Sequence, residues 1–289
     1  MALDPFVAAL VLLAALMHAT WNAVVKSDTD RQTSMALVML AGVGMGLVLL
    51  PFTNDPFGAG MGREAWGWLA CSALIHCAYY TCLLKAYRHG DLSQVYPIAR
   101  GMGPLAVALL SGFVFGETLS SREMLGAAVI SLGIASLAFG PYRGTPEQRR
   151  HSLLYAVLTG CTIAGYLVFD GRGVRAAGDP MAYIAWLNIV EGPWVALFAF
   201  ATRGTEFLSA AKRGWKRGLA GGAIATLGYG IAMWAFTKGG AAHVASLRET
   251  SVIFAAVIGA VLLGEGFGPR RIIAAAAVGA GLVLMNWRG

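Results

Sequence analysis

Long apolar stretches, separated by short polar or basic segments, run the length of the chain. A helix needs about 20 predominantly apolar residues to cross a hydrocarbon core. Ten stretches meet that length: 5–25, 33–52, 66–88, 92–115, 122–140, 151–170, 181–201, 216–237, 241–263 and 270–287. The pattern predicts an all-α integral membrane protein with ten transmembrane helices. The opening Met1-Ala2-Leu3-Asp4 carries no basic side chain, and the apolar run after it is too long for the core of a cleaved signal, so the first stretch reads as a span.

One polar, proline-bearing segment, 141–150 (PYRGTPEQRR), reads as a connector between two halves of five stretches each, 1–140 and 151–289. The halves resemble one another. AYRHGDLSQV (86–95) aligns with AFTKGGAAHV (235–244), and Arg100, Gly116-Glu117 and Gly133 align with Arg248, Gly264-Glu265 and Gly281. Five crossings return the chain on the far side of the bilayer, so the second half starts in the reverse orientation. Two inverted five-helix repeats are the plan of many secondary transporters, with the solute site near the midplane between them.

Composition agrees with burial in lipid. Hydrophobic residues make up 57% of the 289 and charged residues 13%, against roughly 25% charged in soluble domains. That excludes a soluble globule, a disordered chain and a secreted disulfide scaffold. The 38 glycines suit close helix packing in a bilayer. A net charge of +7 would suggest nucleic acid on a soluble protein, but here the basic residues lie between apolar runs and anchor loops. No nucleic-acid partner is expected. Fourteen Lys and Arg lie in the odd-numbered loops, against six in the even loops and C-terminus. The positive-inside rule then places the odd loops in the cytoplasm and both termini outside. Cys71, Cys77, Cys82 and Cys161 lie within apolar runs without metal-type spacing and read as packing residues. No metal or cofactor motif is present, and HExxH, GxSxG and P-loop signatures are absent.

The segments HATWNAVVK (18–26), GDLSQVYPIARGMGPLAVALLSGFVFGE (90–117) and GGAAHVASLRETSVIFAAVIGAVLLGE (239–265), with a Gly-Glu pair closing the fourth stretch of each half, resemble the EamA family of the drug/metabolite transporter superfamily. Within it the chain is similar to bacterial amino-acid exporters of the YddG type. The resemblance implies a multi-pass protein of the bacterial inner membrane, not an enzyme, that exports small metabolites, amino acids first among them. It also implies a cavity lined by spans one, three, four, six, eight and nine, and cytoplasmic termini, the reverse of the charge count. Multidrug or nucleobase export is the alternative within the superfamily, and an intramembrane enzyme the alternative outside it.

Ionisable groups inside a bilayer cost at least about 2.5–3.5 kcal/mol on insertion scales, so each is a candidate functional group. Arg100 follows Tyr96 by one turn and precedes Gly101, Gly103 and Pro104, the expected hinge. It reads either as a carboxylate seat or as the partner of a fixed acid such as Glu191 or Glu249. Arg248 and Glu249 point about 100° apart and need separate partners. Together they could hold both ends of a zwitterion, and a structural ion-pair network is the competing account. Glu191 is the first candidate for proton coupling, and a neutral acid hydrogen-bonded to a neighbouring helix is the competing account. His18, Trp21 and Asn22 share one face, as do His76, Tyr79 and Tyr80. With Tyr166, Trp186 and His243 they complete the candidate lining. Asp170 reads either as a similar lining or packing residue or, near a span end, as loop-side, and Glu117 and Glu265 read as caps of the helices that follow them. The run AAAAVGAG (274–281) is a helix-contact surface that could also support a weak homodimer. The expected partners are therefore a small-molecule solute, the lipid bilayer and protons, with the chain a monomer or weak homodimer.

Overall fold

The computed structural model describes residues 3–28, 30–89, 92–137, 145–262 and 268–286, and every regular element among them is helical. In order these are α1 (Pro5–Lys26), α2 (Arg31–Leu49), α3 (Arg63–His89), α4 (Leu92–Leu110), α5 (Ser121–Ser136), α6 (Pro146–Ala176), α7 (Pro180–Arg203), α8 (Thr205–Phe236), α9 (Ala241–Arg248), α10 (Ser251–Leu262) and α11 (Pro269–Asn286). A short 3-10 turn, Leu50–Phe52, extends α2, and a π-helical turn, Ser111–Phe115, extends α4. Each predicted stretch falls on a helix, with two departures. The ninth is broken at Glu249 and Thr250 into α9 and α10. The sixth starts earlier and ends later than its apolar run, because Thr145 and Gln148 form a capping box and Pro146 occupies the first turn. Half of the expected connector is therefore the start of α6.

Seven helical segments among the described residues are long and apolar enough to cross a membrane: Pro5–Val25, Arg31–Phe52, Pro97–Phe115, Pro146–Ala176, Pro180–Arg203, Thr205–Phe236 and Ala241–Gly259. The chain is a multi-pass membrane protein.

The halves pack by exchange. α3 lies on α6 and α1 on α8; α4 lies on α6 and α1 on α9 and α10; α2 lies on α7 and α5 on α11. Substituting each helix by its counterpart in the other half turns every one of these pairs into another of them or into itself. That is a two-repeat architecture. The α5–α11 pair shows why small residues recur. A Cβ on Gly126 would stand 2.6 Å from the Gly281 carbonyl oxygen, and one on Gly281 would stand 2.6 Å from that of Gly126. Gly281 belongs to the 274–281 run, so part of that run is already used inside the chain. Gly46 likewise meets the Ala185 carbonyl of α7.

The helices join two ends. At one, Arg172 meets Glu64 at 3.3 Å, the Asn54 amide donates to Asp179 at 2.8 Å, and Leu3 lies against Gly239. At the other, Arg203 at the end of α7 binds Asp30 and donates to Thr33 at 3.0 Å, while Gln32 donates to Thr202 at 2.7 Å. Asp30 also caps α2 through the Thr33 amide. Burial raises the Asp30 carboxyl, but hydrogen bonds from Arg203 and Thr33 outweigh it and hold it below its ordinary value. A depressed carboxyl stabilises the fold above the unfolded-state value, and that stabilisation is lost as pH falls through the folded-state value. Asp30→Asn should therefore lower the thermal midpoint at neutral pH. Its deficit against the parent should shrink below about pH 4, close to the unperturbed carboxylate range, and melting curves across pH would read it.

Candidate functional site

The break in the ninth stretch places the site. At Glu249 and Thr250 the backbone amides reach back three residues instead of four, to Ser246 and Leu247, and α10 starts two residues later. Arg248 and Glu249 sit at this discontinuity, 7% and 3% exposed. Their side chains have different fates. Arg100 of α4 donates to Glu249 Oε1 at 2.9 Å and to Ser251 Oγ at 3.3 Å. Of the two readings of Arg100, the structure takes the fixed-acid pair. Glu249 Oε2 has no hydrogen-bond partner among the described residues.

Arg248 has no carboxylate partner among the described residues, and its buried Nη1 has no hydrogen-bond partner. Its guanidinium lies over the Tyr229 ring, 5.3 Å from the centroid. The Tyr229 hydroxyl donates to Asp170, as does Tyr183 at 3.1 Å. Asp170 is fully buried. Its reading as a loop-side residue is corrected: α6 continues past it to Ala176. The signal was present in its spacing, one turn after Tyr166 on the same helix face. Tyr183 and Tyr229 went unnoticed because neither stands beside a charge in the sequence.

A second group lies across the interior. His76 Nδ1 stands 3.3 Å from Glu191 Oε2 and 3.0 Å from the Ser72 carbonyl oxygen. The His76 ring stacks on Tyr166, centroids 4.2 Å apart, and Tyr79 meets both Tyr166 and Tyr80 edge-on. Tyr80 donates to the Met39 sulfur at 3.0 Å. Tyr166 stands one turn before Asp170 on α6, which joins the two groups. His18 lies within reach of both arginines and packs edge-on against Trp21, while Asn22 bonds back to the His18 carbonyl. Thus α1, α3, α4, α6, α7, α8 and α9 all contribute.

Two expected residues lie elsewhere. His243 points away, toward α5 and α11, with Nε2 at 3.2 Å from both Glu123 and the Met285 carbonyl oxygen. Trp186 packs on Trp66 near the Leu3 end. The Tyr96 side chain lies outside the described residues, as does Glu265. The hinge residues are helical: α4 runs unbroken through Gly101, Gly103 and Pro104, and Ser131 Oγ accepts the Leu105 amide just beyond the proline. A Cβ on Gly101 would meet the Ser131 carbonyl at 2.8 Å, so this position serves close packing on α5. The helix break lies in the other half.

Above the site, at the Leu3 end, one arginine ties four elements. Arg175 donates to the carbonyls of Phe236 at 2.7 Å and Gly239 at 3.1 Å and to Glu117 Oε1 at 2.8 Å, and lies over the Phe115 ring. Glu117 Oε2 accepts the Ala241 amide at 2.8 Å. Glu117 is a cap, but of α9 rather than of α5, whose N-terminus Ser120 caps instead. This latch joins the two halves at that end. Arg175→Ala should free the first turn of α9, raising amide hydrogen exchange at 241–244 by at least about tenfold as that turn joins the low-stability part of the fold. Unchanged exchange there would show that other contacts hold the end shut.

The model of the EamA-like transporter family matches the chain twice, over residues 5–139 and 151–287. The uncharacterized protein PA1977 of Pseudomonas aeruginosa is 30% identical over 258 residues, covering 89% of this chain and 84% of that protein. A crystal structure of a protein superposes with a TM-score of 0.74 at 17% identity, over 96% of this chain and 94% of the other. That likeness is one of fold.

Proposed function

Because the chain belongs to the EamA-like transporter family, a family of membrane carriers for small solutes, we propose that it carries amino acids outward across the bacterial inner membrane by alternating access. One observation supports the amino acid above other solutes. Arg248 Nη1 and Glu249 Oε2 are buried, opposite in charge, adjacent in sequence, and both without hydrogen-bond partners among the described residues. A buried polar atom left unpaired is costly. A zwitterion that presents a carboxylate to Arg248 and an ammonium to Glu249 removes both costs at once. The wall of His76, Tyr79, Tyr80 and Tyr166 then receives the side chain.

In this reading all ten stretches cross the bilayer, with α9 and α10 forming one interrupted crossing. Residues 1–140 and 151–289 are oppositely oriented repeats joined through 141–150. Arg100 sets the position of Glu249 and does not itself seat the solute. His18, Trp21 and Asn22 line the path from α1, and the Arg175–Glu117 latch is the closed gate at the Leu3 end. Glu191, beside His76, is the proposed proton-coupling group, and the chain works as a monomer or weak homodimer.

The test is purified protein in sealed liposomes, preloaded and assayed for exchange of labelled amino acids. Saturable exchange, blocked by excess unlabelled amino acid, is expected. Exchange of nucleobases or lipophilic cations in its place would move the solute class. Chemical conversion of the solute without net movement would replace a carrier with an enzyme.

A further inference from the structure

α8 is 32 residues long, about 48 Å at 1.5 Å per residue, against a hydrocarbon core of about 30 Å. Its first turns therefore stand at or beyond the membrane boundary, at the end where Arg203 binds Asp30. Two faces of this segment differ sharply. Gly214 and Gly218 bring it against Leu37 of α2. Away from that contact stand Lys212 and Lys216, with Arg213 and Arg217 on the flank beside them, all exposed and with no carboxylate paired to any of them among the described residues. At 100° per residue, Lys212 and Lys216 form one ladder a turn apart, and Trp215 and Leu219 form an apolar ladder directly beside it. Trp215 and Leu219 are 53% and 50% exposed, and Lys216 Nζ lies 5.8 Å from the Trp215 ring.

A solvated basic loop needs no apolar ladder, and an ordinary lipid-facing helix needs no cations. The two side by side, at the depth where the helix leaves the hydrocarbon, match a molecule with an anionic head above an acyl chain. We propose that this face of α8 binds an anionic phospholipid, with Lys212 and Lys216 on the phosphate, Arg213 and Arg217 at the headgroup, and Trp215 and Leu219 along the glycerol and upper chain. The site does not depend on which solute is carried.

Brominated lipids quench tryptophans they touch. The protein and its Trp215→Phe variant, reconstituted in phosphatidylcholine vesicles, are titrated with brominated phosphatidylglycerol or brominated phosphatidylcholine. The difference between the two proteins isolates Trp215. Quenching of that signal should be at least about threefold stronger with phosphatidylglycerol at equal mole fraction, as expected for a polybasic contact with anionic lipid. K212Q/R213Q/K216Q/R217Q should lose the preference. K212Q/K216Q, the smaller change, should weaken it while eluting as the parent does from a sizing column. Equal quenching by the two lipids overturns the proposal, as does an undiminished preference in K212Q/K216Q. Displacement of the brominated phosphatidylglycerol by millimolar inorganic phosphate would also overturn it, since that marks a free-anion site.

Discussion

Arg248→Gln is expected to weaken binding of carboxylate-bearing solutes by at least about 30-fold while leaving the thermal midpoint equal to the parent's or higher. The direction of both effects follows from one fact. The guanidinium is buried over the face of Tyr229, and among the described residues its Nη1 has no partner and no carboxylate pairs with it. An uncompensated buried cation weakens the resting fold, so its removal relieves a cost. The bound solute, by contrast, loses its charge partner. Truncating one side of a buried, hydrogen-bonded charge pair typically costs about 2–5 kcal/mol, roughly 30-fold to several-thousand-fold in affinity. Binding by calorimetry and melting by intrinsic fluorescence read the two separately. Loss of binding together with a large drop in melting temperature would recast Arg248 as a structural residue. Retained binding would remove it from the site.

The largest stability effect is expected at Arg100. Arg100→Leu leaves the Glu249 carboxylate buried without the 2.9 Å contact that fixes it, and breaking a buried pair from one side costs about 3–5 kcal/mol. The double variant Arg100→Leu/Glu249→Leu should recover most of that loss, because two well-packed apolar side chains can replace a buried pair at little net cost. Thermal unfolding in detergent tests it. The double variant should still fail to bind zwitterions, since the ammonium partner is gone. A single variant as stable as the parent would mean that the pair does not hold α4 to α9.

The comparison of these two arginines marks where sequence reading ends. They occupy equivalent positions in the two halves, Arg100 and Arg248, and each follows a matched segment. Nothing in composition or spacing separates the neutralised one from the unpaired one. Arg100 reaches an acid 149 residues away, across the interface between halves. The spacing of Asp170 from Tyr166 was legible in the sequence, but its partners were not. Its value comes from hydroxyls of α7 and α8 that only the packed bundle brings to it. Glu117 was recognised as a cap, yet it caps a helix that begins 124 residues later.

What the sequence determined by itself is local or periodic. Ten apolar stretches, the internal repeat and the small-residue contact faces all follow from properties that repeat along the chain, since a lipid-facing helix must satisfy its backbone internally and expose apolar side chains. Family membership rests on the same distributed signal. What the tertiary structure alone decided is which buried charges neutralise one another, which stand without a partner among the described residues, and which end of the bundle the Arg175–Glu117 contacts join. Those outcomes depend on side chains from different helices meeting at hydrogen-bonding distance, and an ion pair a few ångströms long leaves no trace in the spacing of residues a hundred or more positions apart.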